Sequence, residues 1–138
     1  MSTSLPANIA GFLRQPNPAV MATLAKDGRP ITVATWYMLQ DDSRILLNLD
    51  GGRLRLGHLR RDPRVALDVL DLADWYSHVA LQLVVTEIVD DPDMVDIDRL
   101  SVHYTGGQYS NRERPRVSAY AEIQSWMGWG AFSTSPAN

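Results

Sequence analysis

Two β-type segments separated by a short turn constrain the fold of this chain most. Residues 19–25 and 30–40 are rich in Val, Thr and other strand-forming side chains. The turn between them, Lys26-Asp27-Gly28-Arg29, contains the glycine typical of a tight reversal. The sequence therefore predicts an antiparallel hairpin at this place, because parallel strands need a much longer crossover connection.

Further strands and short helices follow this hairpin. The pattern predicts strands at 44–50, 64–70, 75–89 and 116–129, and helices at 5–14, 53–61 and 94–104. The first three strands are joined by short turns, which predicts a meander. No internal repeat and no alternation of strand, helix and strand is visible. A mainly β fold, built as an antiparallel barrel of six strands, is the simplest architecture that this pattern allows.

The length and composition are ordinary for a globular protein. The 138 residues suffice for one core, so we expect a single domain over residues 1–138 with flexible ends at 1–8 and 130–138. The absence of cysteine excludes disulfides and thiolate chemistry. Because the sequence also shows no leader pattern and no long apolar run, we expect a cytoplasmic protein that does not bind membranes.

Neither the histidines nor the acidic residues predict a metal site. His58, His78 and His103 lack close ligand spacing. The segment Asp90-Asp91-Pro92-Asp93 precedes the third predicted helix, where carboxylates accept hydrogen bonds from free N–H groups and face the positive end of the helix dipole. We interpret this segment as a helix cap, and no metal is predicted.

The arginines are unevenly distributed. A net charge of −3 argues against a nucleic-acid partner, yet five of the twelve arginines lie within residues 53–64 and the chain has a single lysine. Gly51-Gly52-Arg53-Leu54-Arg55 joins a strand to a helix, where N–H groups and guanidinium groups can bind a phosphate. A solvated helix surface explains the same spacing. A second basic group, Arg112, Arg114 and Arg116, is expected to be solvated or to lie near an anionic ligand tail.

The second strand carries groups that suit a planar ligand. Thr35, Trp36 and Tyr37 interrupt an aliphatic run with side chains that hydrogen-bond or stack against a ring. Tyr37 shares the parity of the aliphatic positions, which predicts core packing, whereas Trp36 and Met38 belong to the opposite face. The chain lacks the motifs of phosphate-loop, dinucleotide-binding and serine-hydrolase enzymes. If it is an enzyme, a bound cofactor is expected to supply its chemistry.

A resemblance to a known family rests on four segments. They are Ala19-Val20-Met21-Ala22-Thr23-Leu24 with Asp27-Gly28-Arg29-Pro30, Trp36-Tyr37, Leu59-Arg60-Arg61-Asp62-Pro63-Arg64-Val65, and Glu87-Ile88-Val89-Asp90-Asp91-Pro92. In order and spacing, over residues 9–129, they resemble the pyridoxamine 5′-phosphate oxidase-like family, in particular its actinobacterial branch that uses the deazaflavin coenzyme F420. The resemblance implies a six-stranded split β-barrel of the FMN-binding type, forming a homodimer with the cofactor in a groove between subunits.

The resemblance also implies a set of cofactor-binding residues. Arg53 and Arg55 match the basic pair that binds the cofactor phosphate, with Arg60 as a further contact. The remaining implied contacts are Thr35, Trp36 and Tyr37 along the ring, Asn48 where the groove opens, and Trp75 and His78 on the other side of the ring. Tyr37 and His78 are the candidate proton donors. Leu83 stands where the family usually has glycine, and its side chain is expected to narrow the groove.

The implied activity is hydride transfer between reduced coenzyme F420 and an electron-poor small organic substrate. Three alternatives stay open: an FMN-dependent reductase or oxidase of the same fold, a non-catalytic cofactor-binding protein, and a dimeric structural protein whose groove is vestigial. The preference for arginine over lysine favours the actinobacterial, deazaflavin-using branch.

Overall fold

A computed structural model describes residues 4–133, which form one antiparallel sheet, three α-helices and a short 3-10 helix at Gly130–Phe132. The strands are β1 (Ala19–Leu24), β2 (Pro30–Thr35), β3 (Met38–Leu39), β4 (Ile45–Asp50), β5 (Arg64–Leu70), β6 (His78–Asp90) and β7 (Arg116–Trp129). The helices are α1 (Ala7–Leu13), α2 (Leu54–Arg61) and α3 (Val95–Thr105). Residues 1–3 and 134–138, which belong to the ends expected to be flexible, lie outside the described residues.

The strand order is β2-β1-β5-β6-β7-β4-β3, and every neighbouring pair is antiparallel. This confirms the mainly β, split-barrel class and the hairpin of β1 and β2, but the sheet has seven strands instead of six. The predicted second strand is divided at Trp36 and Tyr37 into β2 and β3. The predicted meander forms only in part: β1 pairs with β2 and β3 pairs with β4, but the break between β2 and β3 places these two pairs at opposite ends of the strand order.

The division of the second strand brings the two ends of the sheet together. β2 and β3 stand at opposite ends of the strand order, yet only Trp36 and Tyr37 connect them along the chain. The Cα atoms of Thr35 and Met38 are therefore at most about 11 Å apart. The sheet must curl back on itself at this corner, but β2 and β3 do not pair there, so the barrel stays open between them.

The core lies inside the curled sheet. Buried side chains alternate along β1, β5 and β6, as expected for strands with one covered face. β4 differs because residues 45–49 are all buried. One of its faces packs in the barrel core, and on the other face Leu46 packs against Met94, Ile97 and Leu100 at the start of α3. This double burial explains why β4 reads as a continuous apolar run.

The acidic segment before α3 acts as the predicted cap through one of its carboxylates. The Asp91 side chain accepts hydrogen bonds from the backbone N–H groups of Asp96 at 3.2 Å and Ile97 at 3.0 Å. Asp91 is buried, whereas Asp90 and Asp93 are exposed. The cap therefore fixes the start of α3 against the sheet.

Candidate functional site

A cleft of about 590 Å³ opens where the corner of the sheet meets α3. Its volume lies within the range of roughly 300–1,000 Å³ that is usual for cofactor sites. Four predicted site residues line it: Thr35, Trp36, Asn48 and Arg55. Tyr104 and Tyr109 also line the cleft and were not predicted as site residues, whereas Arg116, which lines it too, was expected either to be solvated or to lie near an anionic ligand tail.

Arg55 gives the cleft a positive charge that the protein does not neutralise. It lies in the first turn of α2, is half-buried, and donates a hydrogen bond to the Met21 sulfur at 3.5 Å. Burial lowers the pKa of Arg55, and the neighbouring charges of Arg53 and Arg116 lower it further. Among residues 4–133, none of these three arginines forms an ion pair with a carboxylate. Arg53 and Arg116 both repel the Arg55 guanidinium group, and this concentration of positive charge favours binding of an anion.

Arg116 begins β7 and is held in the cleft by hydrogen bonds. Its Nε donates to Asn48 Oδ1 at 2.9 Å, and its Nη2 donates to the Asn48 backbone oxygen at 3.2 Å. Its guanidinium carbon also lies 4.9 Å from the centre of the Tyr109 ring. Asn48 and Tyr109 together hold the guanidinium group in one orientation without cancelling its charge.

An aromatic cluster forms another wall of the cleft. The Trp36 and Tyr104 rings are stacked, with centroids 5.3 Å apart, and Tyr109 meets Trp36 edge-on at 6.2 Å. The Tyr104 hydroxyl donates to the Asn17 backbone oxygen at 2.7 Å. Burial raises the pKa of Tyr104 to about 12, so that its hydroxyl stays neutral at physiological pH. This wall presents flat apolar surfaces beside the arginines.

Tyr37 lies in the barrel core and does not line the cleft. Its side chain is completely buried, and its hydroxyl accepts a hydrogen bond from Asn17 Nδ2 at 3.0 Å and donates to the Gln15 backbone oxygen at 3.3 Å. Burial raises the pKa of this hydroxyl. Leu83 is likewise a core residue, 2% exposed, and it does not line the cleft.

The other predicted residues lie around the cleft or away from it. Arg53 immediately precedes α2 and acts on the cleft through its charge. Arg60, near the other end of α2, lines a separate depression with Pro63 and Thr86. The structure therefore separates Arg60 from the pair that the resemblance places at the phosphate.

Trp75 and His78 do not line the cleft of their own chain. Trp75 is 74% exposed in the turn between β5 and β6. His78 stacks on Trp129 with ring centroids 4.5 Å apart, and its Nδ1 lies 2.8 Å from the Tyr76 backbone oxygen. Both side chains belong to an exposed end of the sheet.

Within residues 4–133, no group of three or more His, Asp or Glu side chains is arranged to hold a metal ion. No helix in that range is long and apolar enough to cross a membrane.

A seven-stranded antiparallel sheet that curls back at the corner formed by Trp36 and Tyr37 places the chain in the class of split β-barrels. The sequence model of the family described as pyridoxamine 5′-phosphate oxidase matches residues 5–129. The chain therefore belongs to this family, and the resemblance found in the sequence is confirmed. A search of the curated proteins found no match to the sequence.

Solved structures share the fold. A protein named F420 reductase is 22% identical, with a TM-score of 0.79 over 88% of this chain and 98% of that one. A conserved hypothetical protein from Mycobacterium tuberculosis is 25% identical, with a TM-score of 0.71 over 95% of this chain and 88% of its own. General stress protein 26 from Bacillus anthracis is 13% identical, with a TM-score of 0.65 over 88% and 90% of the two chains.

Proposed function

We propose that this chain is a deazaflavin-dependent oxidoreductase that uses coenzyme F420 and transfers a hydride between the reduced cofactor and an electron-poor small organic substrate. The observation that carries the proposal is the cleft in which arginines without carboxylate partners lie beside stacked aromatic rings. Family membership supports an oxidoreductase with a flavin-type cofactor. The likeness in fold to a protein named F420 reductase favours the deazaflavin.

The residues of the cleft fit such a cofactor in charge, shape and size. Arg53 and Arg55 would hold the phosphate, because their charges are not neutralised by the protein. Thr35 and Trp36 would lie along the planar ring, beside the apolar surface of α3. When bound, the reduced cofactor supplies the hydride, and the protein orients the reactants and excludes water.

The proposed site needs a second copy of the chain. Trp75 and His78 are exposed or half-buried and lie outside their own cleft, so they would reach the ring from the partner subunit. In that arrangement His78 is the better candidate for a proton donor. Tyr37 is completely buried and both hydrogen bonds of its hydroxyl go to Asn17 and Gln15, which favours a structural role.

Fluorescence titrations of the purified protein with coenzyme F420 and, separately, with FMN test the proposal. We expect selective binding of the deazaflavin and at least a tenfold loss of affinity in the Arg53→Ala, Arg55→Ala double variant, since each charged hydrogen bond contributes about 1.5–3 kcal/mol. The matched control is the Arg112→Ala, Arg114→Ala variant. It removes the same charge from two arginines that are already paired with Asp98 and Asp50.

The outcomes separate the candidate functions. Selective FMN binding would favour a flavin-dependent reductase or oxidase, and binding of neither cofactor would overturn the proposal. Tight binding of reduced F420 without its oxidation by a panel of quinones and nitroaromatic acceptors would indicate a cofactor carrier. Equal losses in the two double variants would show that the effect comes from net charge and not from the cleft.

A further inference from the structure

Three arginines at alternate positions before and at the start of β7 differ in their partners. Arg112 donates to both carboxylate oxygens of Asp98, at 2.6 and 3.2 Å. Arg114 does the same with Asp50, at 3.0 and 2.9 Å. Arg116 has no carboxylate partner among the described residues, and it alone of the three lines the cleft. Of these three residues, therefore, only Arg116 offers the cleft a charge that is not engaged in an ion pair among the described residues.

The guanidinium group of Arg116 keeps donors free. Three hydrogen bonds use Nε, Nη1 and Nη2: two go to Asn48, and the third goes to the Tyr109 hydroxyl at 3.3 Å. An arginine side chain has five N–H donors. Two therefore have no acceptor among residues 4–133, and the three bonds that are made fix the plane in which the free donors lie.

Both amide N–H groups of Asn48 are used by protein partners. The residue is 7% exposed, and its Nδ2 donates to Asp91 Oδ2 at 3.2 Å and to Ser118 Oγ at 3.0 Å. Its Oδ1 accepts from Arg116. Asn48 therefore has no donor left for a ligand. Asp91, which accepts one of these hydrogen bonds from Asn48, is the residue whose carboxylate caps α3.

We infer that Arg116 is a third anion-binding residue of the cleft, and that Asn48 is a positioning residue that orients Arg116 and does not itself bind the cofactor. The anion is the cofactor phosphate, an assignment that rests on the proposed function. Asp91 and Asn48 connect the start of α3 to the guanidinium group of Arg116. The helix that forms part of the cleft wall therefore also helps to fix the orientation of this charged group. A phosphate bound between Arg116 and Arg55 would relieve the repulsion between them.

The experiment compares ligands that differ in the phosphate. Dissociation constants are measured for FMN and riboflavin, and for coenzyme F420 and its phosphate-free deazaflavin core. In the F420 pair the phosphate is lost together with the rest of the anionic tail, so the ratio for FMN and riboflavin is the phosphate selectivity. We expect Arg116→Gln to lower this ratio by about tenfold or more, with little change in the affinity for the phosphate-free ligand. Arg112→Gln is the matched control and should leave the ratio unchanged.

Asn48→Ala tests the positioning role. We expect it to lower the ratio in the same direction as Arg116→Gln, whereas a merely structural role would weaken both ligands of a pair equally. Arg116→Lys gives a second measurement that does not depend on the folding of an Asn48 variant. Lysine keeps the charge but cannot keep the fork held by Asn48, so it should restore only part of the ratio.

Inorganic phosphate separates a failure of this inference from a failure of the proposed function. Phosphate should raise the thermal unfolding midpoint of the wild type and raise that of Arg116→Gln less, whether or not any cofactor binds. An unchanged ratio in folded Arg116→Gln would overturn the assignment of Arg116, as would an equal phosphate shift in both proteins. An Arg116→Lys variant with the same phosphate selectivity as the wild type would overturn the positioning role of Asn48.

Discussion

At the scale of single residues, Asp91 combines two tasks in one buried carboxylate. It caps α3 through the N–H groups of Asp96 and Ile97 and accepts a hydrogen bond from Asn48. We expect Asp91→Ala to lower the free energy of unfolding by about 2 kcal/mol, because a lost cap costs about 1 kcal/mol and Asn48 also loses an acceptor. Asp93→Ala removes the same charge from an exposed neighbour and should change stability little. Urea unfolding of both variants measures the difference, and equal losses would contradict the capping role.

Tyr104 predicts a pH dependence of stability. Burial raises its pKa to about 12, above the usual value of about 10. An acid whose pKa is raised on folding stabilises the fold while it is neutral. Its contribution is therefore complete below about pH 10 and is lost as the pH rises towards 12. Urea midpoints measured between about pH 8 and 11 should fall less steeply with pH in Tyr104→Phe than in the wild type. Parallel slopes would show that Tyr104 does not contribute to the alkaline loss.

The arginines show why site residues are harder to predict than strands. Arg112, Arg114 and Arg116 are equally spaced and equally basic in the sequence. Their roles are decided by carboxylates that are distant along the chain: the partner of Arg112 is 14 residues away, and the partner of Arg114 is 64 residues away. The absence of such a partner at Arg116 is a property of the fold. Local spacing marked Arg53 and Arg55 as candidates because the segment that places them, a strand end followed by a helix, is itself local, and of the two only Arg55 lines the cleft.

At the scale of elements, two glycines predict opposite effects of the same substitution. Gly57 lies within α2, and a Cβ atom there would meet nothing within 4 Å. We expect Gly57→Ala to raise the free energy of unfolding by about 0.5–1 kcal/mol through helix propensity.

Gly128, near the end of β7, lies against the backbone carbonyl of Phe132 in the following 3-10 turn, where a Cβ atom would overlap it. Gly128→Ala should therefore lower stability by about 2 kcal/mol.

Thermal unfolding of the two alanine variants, with circular dichroism to verify the fold, checks both signs. A stabilised Gly128→Ala protein would mean that the 3-10 turn does not pack against β7 as described. A destabilised Gly57→Ala protein would mean that α2 tolerates no side chain at that exposed position. The cofactor affinity of Gly57→Ala should stay that of the wild type, since the substituted position does not line the cleft.

Strand pairing explains what sequence reasoning could and could not predict about the elements. Hairpin-linked segments and helix boundaries follow from local periodicity and turn residues, and β1, β5, β7 and the three helices lie close to their expected ranges. The pairing of β4 with β7 joins residues about seventy positions apart, such as Asn48 and Ser118. No local pattern marks that choice. The break at Trp36 and Tyr37 was missed because the two residues have strand-like side chains, and only the curvature of the sheet interrupts their pairing.

At the scale of the whole molecule, the outer face of the sheet leads us to predict a contact with a second copy of the chain. Opposite the core, β1, β5 and β6 present small or half-buried side chains, among them Val20, Ala22, Ala66 and Ala80. Asp68 lies on the same face with its Oδ1 buried and without a hydrogen-bond partner among the described residues, and burial raises its pKa. Buried acceptors are normally satisfied, so a donor from a partner subunit would complete this face.

A charge placed on this face should separate the copies. We expect the wild type to scatter light as twice the chain mass of 15.4 kDa, and Ala66→Glu to scatter as a single chain, because an unpaired carboxylate is costly to desolvate in an interface. Ala7→Glu, on the exposed start of α1, is the matched control and should keep the wild-type mass. A monomeric wild type, or a dimeric Ala66→Glu variant, would contradict the use of this face.

Mixed dimers test whether the site is shared between subunits. Arg55→Ala removes an arginine of the cleft, and Trp75→Ala removes a side chain proposed to reach the ring from the partner subunit. Each homodimer of these variants carries two defective sites. In a dimer with one copy of each variant, the cleft that carries Arg55→Ala also receives the substituted Trp75 position from its partner. The other cleft then has the native residue at both positions. Titration of the purified mixed dimer with cofactor should then show half the wild-type number of tight sites. If Trp75 instead serves the cleft of its own chain, every cleft in the mixed dimer is defective and no tight site appears.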